Sequence, residues 1–293
     1  MSTGTSLSYA LVTPVRNEVD NLPVLAACLA AQTAPPQRWV IVDNGSSDGT
    51  VEVAQRLEDE CDWVRPVAGP ADGKTMRGAP IVRAFMAGIA ALDTPVDVVV
   101  KLDADVTMEP DYFERLVGAF QADDGLGIAS GICFELDGEE WVPSYGTRDH
   151  VWGASRAYRW TCLQQVLPLE ERQGWDEIDA IRAHVLGWTT RTFFDLEFRH
   201  HRPEGARDGS RRRWLDQGAT AHYMGYRVSY LLFRTLFQAV RDPMALAMLW
   251  GYLKALLSRE PRWSDSEARA LLRRQQRLSA LPLRAAEALG RRG

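Results

Sequence analysis

Cysteine is scarce in this sequence: Cys28, Cys61, Cys133 and Cys162 are the only four in 293 residues, with no C-x-x-C pair and no grouping with histidine. That spacing carries no zinc signature and no dense disulfide framework, so a reducing compartment is expected. Long apolar runs are lacking too. The most apolar stretch, Pro243 to Tyr252 with its continuation to Leu257, is shorter than the roughly 20 residues that cross a bilayer. No G-x-G-x-x-G follows the first apolar run, where TPVRNEVDN stands instead, which argues against a dinucleotide-dependent oxidoreductase or a sugar nucleotidyltransferase. The opening residues, MSTGTSLSYALVTPVRNE, place no basic region ahead of an apolar one. No signal peptide is therefore expected, and the expected location is the cytoplasm. An excess of positive charge is also missing: the net charge is −5, so nucleic acid is not an expected partner.

What is present is ordinary globular material, 46% hydrophobic and 25% charged, enough to bury a core in one large domain or two smaller ones. The charge, however, is unevenly placed. Residues 1–150 hold 10 Lys and Arg against 24 Asp and Glu, whereas residues 151–293 hold 24 against 15. The two stretches therefore carry −14 and +9.

The first half alternates short apolar runs with amphipathic stretches. Residues 8–13, 38–43 and 97–102 read as buried strands; residues 21–32, 50–60 and 77–92 read as helices. This rhythm implies an α/β fold with a mainly parallel sheet flanked by helices. After residue 130, GIASGICFEL and TRTFFDLEF read as strands and residues 151–166 and 176–186 as helices, while RPEGARDGSRRR (202–213) reads as a mobile loop. Residues 264–292 read as a basic helical tail.

In such sheets ligands gather at the carboxyl ends of the strands. Asn17 and Glu18 follow the first strand, Asp43 to Asp48 the second, and Asp103-Ala104-Asp105 the strand DVVVKL. Two carboxylates one residue apart at a strand end suit a hard divalent cation together with nucleotide phosphates. Asp pairs are also common in turns.

Four segments carry a family resemblance in order: LVTPVRNEVDNL (11–22), WVIVDNGSSDGT (39–50), VVVKLDADVTMEPDYFERL (98–116) and GWDEIDAIRAHVLGW (174–188). Together they resemble family 2 glycosyltransferases with the GT-A fold, a Rossmann-like sheet, over about residues 8–225. The resemblance implies a catalytic domain over 1–225, with a nucleotide-binding half to about 130 and an acceptor half from 131, followed by a C-terminal helical extension over 226–293. It implies sugar transfer from a nucleoside diphosphate donor to an acceptor hydroxyl, with inversion and with Mg2+ or Mn2+. Pro14, Arg16, Asn17 and Glu18 would line the nucleotide pocket, and Asp43 would face the base. For Asn17 and Glu18, helix capping is the structural alternative. Asp48 and Thr50 read as turn and cap residues. Asp103 and Ala104 would lie beside the donor, and Asp105 would be the main metal ligand, with Asp103 and one of His200 and His201 completing the site. Lys74 and Arg77 would neutralise phosphate or, on the structural reading, simply stand in a solvated loop.

The acceptor hydroxyl needs a base. Counting back from Gly187-Trp188, Asp176 falls where the family's aspartate stands, with Trp175 in place of its usual acidic neighbour; Glu177 is the alternative, and a first helical turn favours acidic residues in any case. On the acceptor side of the family, Trp152, Tyr158 and Trp160 would stack on a sugar face and Arg156 or Arg159 would contact phosphate; for each of the aromatics a place in the core is the structural alternative. Arg212, in the basic stretch, is a candidate phosphate contact. A sugar or lipid-linked acceptor is expected. Tyr226 to Phe237 mix aromatic, aliphatic and cationic side chains, the composition of a core helix or of an interfacial one lying on the inner face of a membrane. A non-catalytic, membrane-associated scaffold is the competing reading.

Overall fold

A computed structural model describes residues 6–70, 78–144, 150–202, 209–240 and 242–277. They divide into two compact units, the first reaching Arg202 and the second starting at Gly209.

The first unit is a mixed α/β fold. Strand β1 (Tyr9–Val15) is buried along its whole length. It pairs in parallel with β2 (Arg38–Asp43), which pairs in parallel with β3 (Val64–Ala68). On its other side lies β4 (Val98–Leu102), also parallel. The continuous apolar runs have a simple cause, because both faces of the strands are covered. Tyr9, Leu11 and Val15 pack with Leu22, Leu25 and Leu29 of α1 (Asn21–Ala30) and with Val53 of α2 (Thr50–Glu60). Ala10 and Val12 face the opposite way, onto Val82 and Phe85 of α3 (Ala79–Ala90). The sequence does not mark β3, whose Pro66 is an unusual strand residue. Proline is tolerated there because β3 is the sheet edge.

Beyond β4 the sheet becomes mixed. The chain continues through β5 (Val106–Met108), α4 (Tyr112–Ala122), β6 (Leu126–Asp137) and its hairpin partner β7 (Glu140–Pro143). It then forms β8 (Ser155–Arg159), α5 (Trp160–Val166), α6 (Trp175–Val185) and β9 (Thr189–His200). The strand order is β3-β2-β1-β4-β8-β6-β9-β5. Residues 151–166, expected to be one helix, are a strand followed by a short helix. Ser155 to Arg159 form an antiparallel ladder with β4 in a buried position, and that pairing overrides the local helical spacing.

The second unit is helical among the described residues: α7 (Ser210–Tyr223), α8 (Val228–Ala239), a 3-10 turn (Pro243–Leu246), α9 (Ala247–Leu257) and α10 (Ser266–Gln275). Ser210 to Arg213, expected in a loop, are the first turn of α7; the rest of that basic stretch, 203–208, lies outside the described residues. Helices α7 and α9 meet through glycines. A Cβ on Gly218 would fall 2.0 Å from the Met248 carbonyl oxygen, and one on Gly251 would fall 2.1 Å from that of Leu215. Helix α7 thus packs within the helical unit, although the expected boundary at 225 stood after it. Of the basic tail, residues 278–292 lie outside the described residues.

Candidate functional site

The ends of β1, β2 and β4 converge because they are adjacent parallel strands, with Val15 opposite Asp43 in register. Pro14 is buried inside β1 and Arg16 is half-buried just beyond it. Asn17 adopts φ +55. It caps no helix: its side-chain oxygen accepts from the Ser47 amide at 2.9 Å, and its own amide donates to Ser46 Oγ at 3.0 Å. Asp43 accepts from the amides of Gly45 and Ser46 at 3.1 and 3.2 Å. Asp48 accepts from the amide and hydroxyl of Thr50 at 3.1 and 2.6 Å. The loops after β1 and β2 are therefore laced to one another.

Glu18 is buried, with 7% of its surface exposed. Its carboxylate accepts from Asn21 Nδ2 at 2.7 Å and from both ends of the Arg202 guanidinium, at 3.0 and 2.8 Å. Burial pushes its pKa upward in spite of those donors.

The Asp103-Ala104-Asp105 turn joins β4 to β5, and β5 pairs antiparallel with β9, setting Val106 opposite His200. His200 Nε2 consequently stands 3.3 Å from Asp105 Oδ1, and Arg202 Nε stands 3.5 Å from Asp105 Oδ2. Burial works to raise the Asp105 carboxyl, but the hydrogen bond and charge of His200, with the charge of Arg202, hold it below its ordinary range. Burial works to lower the His200 imidazole, and the Asp105 hydrogen bond with the surrounding carboxylates raises it above its ordinary value. Asp103 is ion-paired with the buried Lys101 of β4. Ala104 is buried beside them.

Asp103, Asp105 and His200 each offer a ligand atom within 4.8 Å of one another. Two carboxylates and an imidazole suit Mg2+ or Mn2+ in chemical type. His201 points elsewhere: its Nε2 hydrogen-bonds Thr107 Oγ1 at 2.8 Å and its ring meets Trp141 edge-on.

Asp176 and Glu177 occupy the first turn of α6, after Gly174 in the left-handed region at φ +79. A Cβ on Gly153 would lie 3.1 Å from Asp176 Oδ2. The next residue, Ala154, accepts a hydrogen bond from the Asp103 amide at 2.9 Å. The segment 153–154 therefore brings the Asp176 carboxylate and the Asp103 turn to the same end of the sheet.

Two sequence expectations, those for Arg156 and Arg159, need correction. Arg156 is wholly buried and its guanidinium is spent on Asp179, Tyr158 and the carbonyls of Val151 and Asp176, so it braces α6 and does not face a phosphate. Arg159 donates to the carbonyls of Leu126, at 3.0 Å, Phe120 and Asp123, at 2.8 Å, around the end of α4, a cation on the free carbonyls of a helix C-terminus. Arg212 is exposed on α7, 3.6 Å from Asp216 one turn on. Trp152 is half-buried against the core, with its ring edge-on to His150. Lys74 and Arg77 lie outside the described residues. The sequence reading missed Arg202, Lys101 and Asp179. Only for Arg202 was there a local signal, its place directly after His200-His201.

Residues 10–168 match the model of the family described as Glycosyl transferase family 2. The chain is 37% identical over 114 residues to a succinoglycan biosynthesis protein, ExoA, of Rhizobium meliloti, a match covering 39% of this chain and 32% of that protein. The chain thus spans about a third of that relative's length. It is 26% identical over 268 residues to an undecaprenyl-phosphate 4-deoxy-4-formamido-L-arabinose transferase of Pseudomonas syringae, covering 85% of this chain and 70% of the relative. Among solved structures, the Pyrobaculum calidifontis mannosyltransferase PcManGT, in complex with GDP-Man and Mn2+, superposes with a TM-score of 0.58 at 17% identity, covering 97% of this chain and 80% of that one. Residues 1–349 of S. aureus TarS, in complex with UDP-GlcNAc, superpose with a TM-score of 0.56 at 13% identity over 74% and 66% of the two chains. At these identities both bear on the fold.

Proposed function

Because the chain belongs to glycosyl transferase family 2, we propose that it transfers a sugar from a nucleoside diphosphate donor to an acceptor hydroxyl, with inversion at the anomeric carbon. The observation that carries this reading is the approach of Asp103, Asp105 and His200 within 4.8 Å at the end of the sheet. These three would hold Mg2+ or Mn2+. Such a cation, when bound, neutralises the charge that develops on the departing diphosphate.

The remaining steps fall to the protein's own groups. Asn17 and Asp43 fix the loops after β1 and β2 into a pocket wall for the nucleoside. Arg202 and Lys101 keep the carboxylates Glu18, Asp105 and Asp103 oriented. Lys74 and Arg77 supply positive charge to the donor phosphates. Asp176 takes the proton of the acceptor hydroxyl as its oxygen bonds to the anomeric carbon, and the bond from that carbon to the diphosphate oxygen breaks with its electron pair leaving on the nucleotide. Trp152 lies on the acceptor side.

The relatives' printed names, a succinoglycan biosynthesis protein and an undecaprenyl-phosphate sugar transferase, support a role in polysaccharide or glycolipid assembly with a sugar or lipid-linked acceptor. No helix among the described residues is long and apolar enough to cross a membrane.

The test is transfer and donor hydrolysis over a panel of nucleotide sugars, with Mn2+ and with chelator, and product configuration read by NMR. Turnover by one donor, lost on chelation, with an inverted anomeric centre is expected. Turnover unaffected by chelation would overturn the metal assignment, and retention of configuration would overturn the Asp176 mechanism.

A further inference from the structure

Fifteen large hydrophobic side chains are exposed among the described residues, and eleven of them lie between Val228 and Leu257. They follow helical spacing. On α8, Leu232, Phe233 and Leu236 lie on one side, continued by Val240 just beyond its end, and Val228 is exposed at its first residue, while Leu231 and Thr235 are buried. Trp250, Leu253 and Leu257 line one side of α9, with Leu246 at the end of the 3-10 turn continuing it, and Met248, Gly251 and Ala255 are buried opposite. The exposures are large: 86% for Val240, 70% for Leu257 and 63% for Leu236. Soluble proteins rarely leave a contiguous apolar face of this kind without a partner.

We propose that the outer face of α8 and α9 is a membrane-docking surface that lies in the interface of an anionic lipid bilayer. Length excludes spanning: at about 1.5 Å per residue these helices are roughly 18 and 16 Å long, about half of a hydrocarbon core. Composition favours the interface. The α8 face carries no charge, the α9 face includes a tryptophan, and the exposed Lys254 stands at its border, where a long stem lets the ammonium reach headgroups. The charge of the unit is complementary to anionic lipid. Its described residues hold 12 Lys and Arg against five Asp and Glu, and the exposed Arg259 and Arg262 follow directly after α9. A second copy of the chain would bring like-charged surfaces together around that same face. The inference stands on these residues alone and does not depend on the transferase reading.

The test is flotation of the full chain with phosphatidylcholine vesicles and with vesicles containing phosphatidylglycerol, at low and high salt, beside sedimentation of the protein alone. Wild type floats with the anionic vesicles and less with the neutral ones, and salt reduces the difference. L236E/L253E lowers apparent affinity by at least tenfold, and the milder L236Q/L253Q lowers it by less. V24E, at an exposed apolar position on α1, binds as wild type. The proposal is overturned if wild type stays unbound with both vesicle types at low salt. It is also overturned if L236E/L253E and L236Q/L253Q float as wild type, or if the protein alone forms a dimer that these variants dissolve. None of these readouts requires donor or turnover, so failure here leaves the transferase reading untouched.

Discussion

Arg202 grips Glu18 with both ends of its guanidinium, at 3.0 and 2.8 Å, and presents its Nε to Asp105 at 3.5 Å. One side chain thereby ties the loop after β1 to the Asp103-Asp105 turn. Removing it leaves Glu18 buried without its cation and takes away an interaction that counters the upward push of burial on its pKa. R202M should cost about 2 kcal/mol of stability, discounted from a fully buried pair because Arg202 remains 29% exposed. R202K should recover part of it. Urea unfolding measures the loss, and a variant as stable as wild type would dismiss the bracing role.

Asp105 is the carboxylate most deeply committed to the cation site, touching both His200 and Arg202. D105N should lower metal-dependent turnover by on the order of a hundredfold or more and weaken Mn2+ binding, read by electron paramagnetic resonance. H201A should change Mn2+ binding little, because that ring is engaged with Thr107 and Trp141. Equal losses in the two variants would reverse the choice between the histidines.

The parts of the fold that a sequence can announce are those built from local pattern. Strands β1, β2 and β4 stand out because burial on both faces leaves an unbroken apolar run, and the Asp103-Asp105 pair stands out because it ends one of them. Ser155 to Arg159 do not announce themselves. Their strand character comes from β4, whose Val98 pairs with Arg159 and whose Leu102 pairs with Ser155, partners 61 and 53 residues apart, a long-range pairing with no local trace. Arg156 misleads for the same reason: an arginine beside aromatics reads as a ligand contact until the fold supplies Asp179 from α6 as its buried partner. Of the site itself, Asp105 and His200 are individually visible, but their 3.3 Å approach is a product of the β5–β9 register. Arg202 was hidden in a stretch whose composition resembles a solvated loop.

Asp176 and Glu177 share a helical turn, so composition cannot separate them. Asp176 is placed against Gly153, one residue before the carbonyl that receives the Asp103 amide. D176N should leave donor affinity unchanged and lower kcat by roughly a hundredfold to ten-thousandfold. E177Q should cost less than about tenfold on the same scale. Donor titration separates binding from turnover. A larger kcat loss in E177Q would move the base to that residue.

Asp242 offers a check on the helical unit that is independent of catalysis. Its carboxylate accepts from Ser210 Oγ, from Trp214 Nε1 at 2.6 Å and from the Met244 amide at 2.9 Å, capping the 3-10 turn and pinning the start of α7. The Ser210 hydrogen bond, then that of Trp214, hold its pKa below the ordinary aspartate value. A carboxylate depressed in the folded state contributes stability that is fully present above its unfolded pKa, near 3.8, and is lost as pH falls through the lower, folded value. D242N should therefore cost about 1 kcal/mol at neutral pH, and the gap to wild type should shrink as pH drops below about 3.8. Urea unfolding of the two proteins across that range, followed by Trp214-sensitive fluorescence, measures the gap. A difference that stays constant with pH would mean that the ionised carboxylate contributes nothing beyond its shape.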